Sequence, residues 1–272
     1  MPTDRSGLES LLARIPLPVI ALSGGVDSMT LAALSHMVNP KTRALHALSP
    51  AVPKVATRRV KDIAAQRNWS LDCVDAGEFA DPNYLENPLN RCFYCKTNLY
   101  ETLSQCDVAG QILSGTNLDD LGDYRPGLIA AKAHNVRHPF VDTGYAKSDV
   151  RALARDLDLG EIAALPAAPC LSSRIETGLR IDPQMLALIE TVETWLTDRV
   201  GSGDLRCRIL KTGIEIQMEE RLLNKSGDQT KLGTDLRADL PQLGARAIRI
   251  SPYVKGSAFV GDKTAAALVS DE

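Results

Sequence analysis

The stretch that most constrains this chain is Pro18-Val19-Ile20-Ala21-Leu22-Ser23-Gly24-Gly25-Val26-Asp27-Ser28. Its apolar, β-branched start reads as a buried strand. Two glycines then turn the chain, and a helical pattern runs from about Val26 to Val38. Such a strand, glycine turn and helix form a phosphate cradle. Glycines let the backbone come close to a polyphosphate, and the first N–H groups of the helix point at it along a favourable dipole. Ser23 and Ser28 add hydroxyl donors. Asp27 is a poor direct partner for phosphate, so it is expected to hold Mg2+ or to orient the loop. The mononucleotide loop GxxxxGK followed by Ser or Thr is excluded, because no lysine stands in this stretch.

Ser23-Gly24-Gly25-Val26-Asp27-Ser28 resembles the PP-loop of the ATP pyrophosphatases. The resemblance implies cleavage of ATP between its α- and β-phosphates, with adenylation of a carboxylate or carbonyl oxygen. The surrounding pattern agrees with an α/β fold, a Rossmann-like parallel sheet. Strands are expected at Arg43–Leu48 and Ser70–Val74, from Gln111 to Asn117 with small polar residues at its end, and at Arg137–Val141. They alternate with helices near 57–67, 92–103, 125–134 and 147–157. Ligands of such sheets bind beyond the carboxyl ends of the strands. Ser23-Gly24-Gly25 and Ser114-Gly115-Thr116-Asn117 both fall there and are expected to face one pocket. Asp119 and Asp120 follow, as magnesium or pocket ligands or as helix caps. Asp75–Asn90 is polar, contains Pro82 and Pro88, and has the length of a functional lid.

After about Ile175 the pattern changes. A helix opens at Asp182-Pro183, two alternating strands flank Lys211-Thr212-Gly213, and a further helix and strand follow. The expected organisation is a nucleotide domain over 1–176 and a small α+β domain over 177–272 that binds substrate, oligomerises or both. Net charge is −3 with signs mixed along the chain, which argues against nucleic acid as a partner. No run has the length of a membrane span and the N-terminus lacks a signal-peptide pattern, so a cytoplasmic protein is expected.

Of six cysteines, Cys73 sits in a strand pattern and is expected to be a buried small hydrophobe; Cys106 and Cys207 have no motif around them. Cys92 and Cys95 form a CxxC, which suits a redox pair, half a zinc site or part of an iron–sulfur site. Cys170 lies in Pro169-Cys170-Leu171-Ser172-Ser173-Arg174, where the Ser-Ser-Arg run offers donors for an anion beside the sulfur. Three cysteines without a fourth suit a cluster with one open position. Arg206 and Arg208 alternate on one strand, so they share a face that suits a phosphate. Glu190, Glu193 and Glu215 are candidates for a metal in the second domain. The four histidines, His36, His46, His134 and His138, show no ligand spacing.

The PP-loop, Arg91-Cys92-Phe93-Tyr94-Cys95-Lys96, the run Gly115 to Gly127, and Pro166 to Arg174 occur here in the order found in the LarE family, which the chain resembles from about 18 to 180 and more weakly through Arg208. The resemblance implies a sulfurtransferase that uses ATP and Mg2+ to adenylate, then thiolate, both carboxylates of pyridinium-3,5-biscarboxylic acid mononucleotide for a nickel-pincer cofactor. One branch of the family spends its own cysteine as the sulfur source. The other holds a [4Fe-4S] cluster on three cysteines, and Cys92 and Cys95 beside Cys170 resemble that branch, which needs a sulfide donor. By this resemblance Ser23, Gly24, Gly25, Asp27, Ser28, Gly115, Thr116 and Asp120 bind the nucleotide. Ser173 and Arg174 stabilise the adenylate or the moving phosphate, Arg206 and Arg208 hold the substrate's phosphate, and the chains assemble as homo-oligomers up to a hexamer. The tail from Pro252 departs from the family's usual ending. The alternatives are a PP-loop enzyme that thiolates tRNA and a non-catalytic nucleotide sensor with zinc on the three cysteines.

Overall fold

β1 (Pro18–Ala21) lies inside a four-stranded parallel sheet of order β3-β2-β1-β4, with β2 at Arg43–Leu48, β3 at Ser70–Asp75 and β4 at Gln111–Leu113. The structure is a computed structural model that describes residues 4–105, 110–122, 126–166 and 169–258. Cys106, the Asp123–Arg125 part of the third motif, Ala167-Ala168 and the tail after Ala258 lie outside the described residues. The register sets Val19 beside Arg43 and Ile112, and Ile20 beside Ala44 and Leu113. Alternate side chains point to opposite faces. Ile20, Ala44 and Leu113 accordingly join one apolar cluster, and Val19, Leu45 and Ile112 another. A strand covered on both faces has to be apolar throughout, as β1 is.

The first cluster is closed by α1 (Arg5–Ala13), α2 (Val26–Val38) and α3 (Lys54–Gln66). The second is closed by α4 (Arg91–Gln105) and α5 (Pro126–Ala133), and α6 (Lys147–Asp156) returns to the first. The chain lays β2 and β3 on one side of β1 and β4 on the other. That reversal makes the carboxyl ends of β1 and β4 the place for a ligand.

Three expectations are corrected here. Arg137–Val141 is not a strand: Arg137 makes a single bridge to Leu113, and Pro139 opens a one-turn helix, Pro139–Asp142. Proline has no N–H for a ladder and suits the first turn of a helix. Cys73 is exposed on β3, an edge strand, and is not a core residue. Asp75–Asn90 is not a free lid, since it holds the turn Glu78–Ala80 and the short helix Pro82–Leu85.

Residues 82–89 group with 169–258 in a second compact unit, and the sheet just described belongs to the first. In the second unit β5 (Leu205–Leu210) and β6 (Gly213–Met218) form the expected hairpin, and β7 (Ile248–Pro252) runs parallel to β6. α7 (Pro183–Val200) begins as expected: Asp182 caps it by accepting the Gln184 N–H at 2.7 Å, with Pro183 in its first turn. α8 (Gln229–Asp239) follows the hairpin. One sheet face is Leu205, Cys207, Ile209, Ile214, Ile216 and Met218; the other pairs Arg206 with Gln217 and Arg208 with Glu215. Asn87 and Leu85 tie residues 82–89 into this unit: Asn87 Nδ2 donates to the Glu176 carbonyl at 2.9 Å, and the Ile181 N–H donates to the Leu85 carbonyl at 2.8 Å. No helix among the described residues is long and apolar enough to cross a membrane.

Candidate functional site

The loop between β1 and α2 has the geometry of a cradle. Gly24 holds φ +82°, a left-handed conformation that favours glycine. A Cβ there would also lie 3.0 Å from the Ala56 carbonyl and 3.2 Å from Val60 on α3. Gly25 takes the N-cap of α2 and brings no side chain to it. The Ser28 hydroxyl is the hub, accepting the Ser23 N–H at 3.1 Å, donating to the Gly25 carbonyl at 3.2 Å and lying 3.0 Å from the Ser23 hydroxyl. The turn is thus held by its own serines.

The end of β4 reaches this turn. A Cβ on Gly115 would stand 2.7 Å from both the Asp27 carbonyl carbon and the Ser28 nitrogen, so only glycine permits the approach. Asn117, buried, donates to Asp27 Oδ1 at 3.2 Å. Thr116 meets the Ser114 hydroxyl at 2.9 Å, and that hydroxyl meets His138 Nδ1 at 2.7 Å. Asp120 accepts the Asn117 N–H at 3.1 Å and Asp119 accepts the Lys147 N–H at 2.9 Å, so both carboxylates serve backbone donors. Among the loop and strand-end residues, the geometry brings Gly115 against Asp27 and Ser28 and Asn117 onto Asp27, while Thr116 bonds to Ser114. Two cations were not legible in the sequence. Lys147, from the start of α6, ion-pairs with Asp27, and Arg59, from α3, donates to the Gly24 carbonyl at 2.8 Å. Each lies in a charged amphipathic helix pattern that carries no local mark of this contact.

Cys92 and Cys95 occupy the first turns of α4 at helical spacing i, i+3, which puts them on one face. Both are half-buried, and neither is in a disulfide. Cys170, also half-buried, belongs to the second unit and precedes the helical turn Leu171–Arg174. Their donor chemistry suits a thiolate-ligated group, and each unit by itself holds either two or one of the three thiols. Among the described residues no three His, Cys, Asp or Glu side chains gather as a metal site.

Around Cys170 the backbone is closely held. Its carbonyl accepts from the Ser173 hydroxyl at 2.7 Å, the Ser173 N–H at 3.0 Å and Arg174 Nη1 at 3.0 Å. Arg174, 3% exposed, also forks onto Glu193 of α7 at 3.0 and 3.2 Å. Glu193 in turn accepts the Cys207 N–H at 3.0 Å. Tyr84 meets the Ser172 hydroxyl at 2.7 Å from the other side. Arg206 and Arg208 share a face as expected, but both are buried. Arg206 donates to the Leu205 carbonyl at 2.6 Å; Arg208 donates to Gln217, the Ser173 carbonyl and the Val254 carbonyl. Burial lowers the pKa of both guanidiniums, and for Arg206 the nearby Arg174 adds to the effect. Burial also pushes the Cys207 thiol far up, so that sulfur is an inert core group. Glu215 accepts from Arg249 at 2.5 Å and Ser251 at 2.8 Å.

No family model matches the chain. It is 32% identical over 232 residues to an uncharacterized protein of Synechocystis sp., covering 83% of this chain and 85% of that protein. An uncharacterized protein of Methanocaldococcus jannaschii is 29% identical over 210 residues, 75% of this chain and 78% of the other. The pyridinium-3,5-bisthiocarboxylic acid mononucleotide synthase of Lactiplantibacillus plantarum is 24% identical over 257 residues, 92% of this chain and 91% of the synthase.

Proposed function

The chain belongs to one family with the Synechocystis protein and is a distant homologue of the named synthase along nearly its whole length; from that premise we propose that it is an ATP-dependent sulfurtransferase acting on the carboxylates of a pyridinium mononucleotide. The observation that carries the reading is the cradle itself. A left-handed Gly24, an N-cap without a side chain and the close approach of Gly115 leave the first turn of α2 open to an anion.

In this mechanism the amides of the 23–28 loop and the α2 N-terminus bind the polyphosphate. Asp27 would hold Mg2+, which would neutralise charge on the phosphate oxygens, and Lys147 moves from that carboxylate onto phosphate oxygen. A substrate carboxylate oxygen attacks the α-phosphorus, the bond to the β-phosphate oxygen breaks, and pyrophosphate leaves. Sulfide then attacks the acyl carbon and AMP departs with the former carboxylate oxygen. The second carboxylate repeats the sequence. Arg174 and Ser173 fix the backbone of Cys170 and so the direction of its sulfur. The buried Arg206 and Arg208 give this region the positive field that a substrate phosphate requires. A [4Fe-4S] cluster on Cys92, Cys95 and Cys170 would supply the sulfide from its open position.

Anaerobic purification with iron, sulfide and zinc counts tests this. About four irons per chain with a broad visible band are expected for such a cluster. Cys92→Ala is expected to lose multiple turnover while keeping ATP binding; full turnover in that variant rules the cluster out. With iron absent after reconstitution, a chain lighter by one hydrogen sulfide after a single turnover identifies Cys170 as a consumed donor. Bound zinc with no ATP turnover on any carboxylated nucleotide refutes the enzyme reading.

A further inference from the structure

Ala56, Arg59 and Val60 stand at i, i+3 and i+4 on α3 and therefore share a face. Ala56 and Val60 are the residues that crowd Gly24, and Arg59 donates from Nη1 to the Gly24 carbonyl at 2.8 Å. That bond uses one of the five guanidinium donors. Lys147, the other cation of the cradle, is neutralised by Asp27. Arg59 makes no ion pair among the described residues, and burial alone, with no opposing carboxylate, lowers its pKa. A partly desolvated cation without a counter-charge is costly, and here it borders a loop built for anions. α3 also carries Lys54, Arg58 and Lys61, all exposed, against the single acid Asp62, so the field beside the loop is positive.

We propose that Arg59 is a polyphosphate-binding residue: the Gly24 carbonyl anchors one end of its guanidinium, and its remaining N–H donors take oxygens of the pyrophosphate half of the nucleotide. The planar fork suits phosphate oxygens better than a lysine would. This assignment rests on the ATP reading. It adds a cation that the Ser-Gly-Gly motif does not contain and that reaches the loop from a neighbouring helix.

Calorimetric titration of the full chain with Mg-pyrophosphate, MgATP and AMP tests it, for the wild type, Arg59→Met and Arg59→Lys. Loss of a charge-assisted contact is expected to weaken pyrophosphate and MgATP roughly ten- to a hundredfold in Arg59→Met. AMP, which lacks the pyrophosphate half, is expected to bind unchanged, and Arg59→Lys to recover part of the loss. Equal weakening of AMP, with a lowered unfolding midpoint, would show that Arg59 only props the loop and would overturn the proposal. Wild-type pyrophosphate affinity in Arg59→Met overturns it too, yet leaves the ATP reading standing. A wild-type chain that binds neither MgATP nor pyrophosphate removes the ATP reading and this assignment together.

Discussion

Three glycines at the cradle are constrained for different reasons, and substitution separates them. At Gly24 an alanine meets both a left-handed φ and the Ala56 carbonyl. At Gly115 φ is ordinary, but the new Cβ would stand 2.7 Å from backbone atoms of Asp27 and Ser28, which have no flexible end to move aside. At Gly25 the nearest atom is the Ser23 hydroxyl at 3.7 Å, an ordinary contact. Gly115→Ala is therefore expected to cost about 1–3 kcal/mol, the usual range for overpacking, and to displace β4 from the start of α2. Thermal unfolding and MgATP titration check this together. Gly115→Ala should show a lowered midpoint and weakened nucleotide, and Gly25→Ala a near-native midpoint. Equal midpoints for Gly115→Ala and the wild type would contradict the close approach.

Among the elements, α7 does more than cover the second sheet. Its Glu193 neutralises Arg174, which in turn fixes the carbonyls of Pro169 and Cys170. Glu193→Ala leaves a buried guanidinium unpaired, a change that costs about 3–5 kcal/mol. Urea unfolding should show that loss, and Glu193→Gln, which keeps an acceptor, a smaller one. A loss under about 1 kcal/mol would mean water replaces the carboxylate, as at an exposed pair. The same element scale explains what the sequence made legible. Ser23 to Ser28 and Gly115 were readable because a glycine turn between strand and helix is local chemistry, and so was the Asp182-Pro183 start of α7. Arg59 and Lys147 were not, since helices with ordinary polar faces carry them and packing alone brings them to the loop. Arg206 and Arg208 were placed on one face correctly. Their burial was hidden, because an alternating strand normally has one solvated face, whereas here Gln217 and the Ser173 and Val254 carbonyls cover it.

For the whole molecule the histidines set an asymmetry between the two units. All four, His36, His46, His134 and His138, belong to the first unit, and the second has none. Burial lowers the pKa of His36, His46 and His138 below the ordinary histidine value; nearby Asp142 and Asp120 oppose the shift at His138 without cancelling it. His46 shows why the neutral ring is preferred. Its Nδ1 donates to the Leu22 carbonyl at 2.8 Å and its Nε2 meets the Thr57 hydroxyl at 2.9 Å, while burial, with the nearby Lys61 charge adding to it, disfavours a second ring proton. Below about pH 6.5 the unfolded chain takes up protons that the folded unit does not. These residues thus contribute stability that is present above about pH 6.5 and is lost as pH falls toward their lowered folded values. The two tryptophans fall one to each unit: Trp69 stacks on His36 at 5.1 Å in the first, and Trp195 lies on α7 in the second. In Trp195→Phe, fluorescence follows the first unit alone, and its urea midpoint should drop between pH 7.5 and pH 5.5. Adding His46→Gln should flatten that drop while lowering the midpoint at pH 7.5. A midpoint that holds steady or rises as the pH falls would show that the buried rings are protonated in place, and the account of burial lowering their pKa would then be wrong.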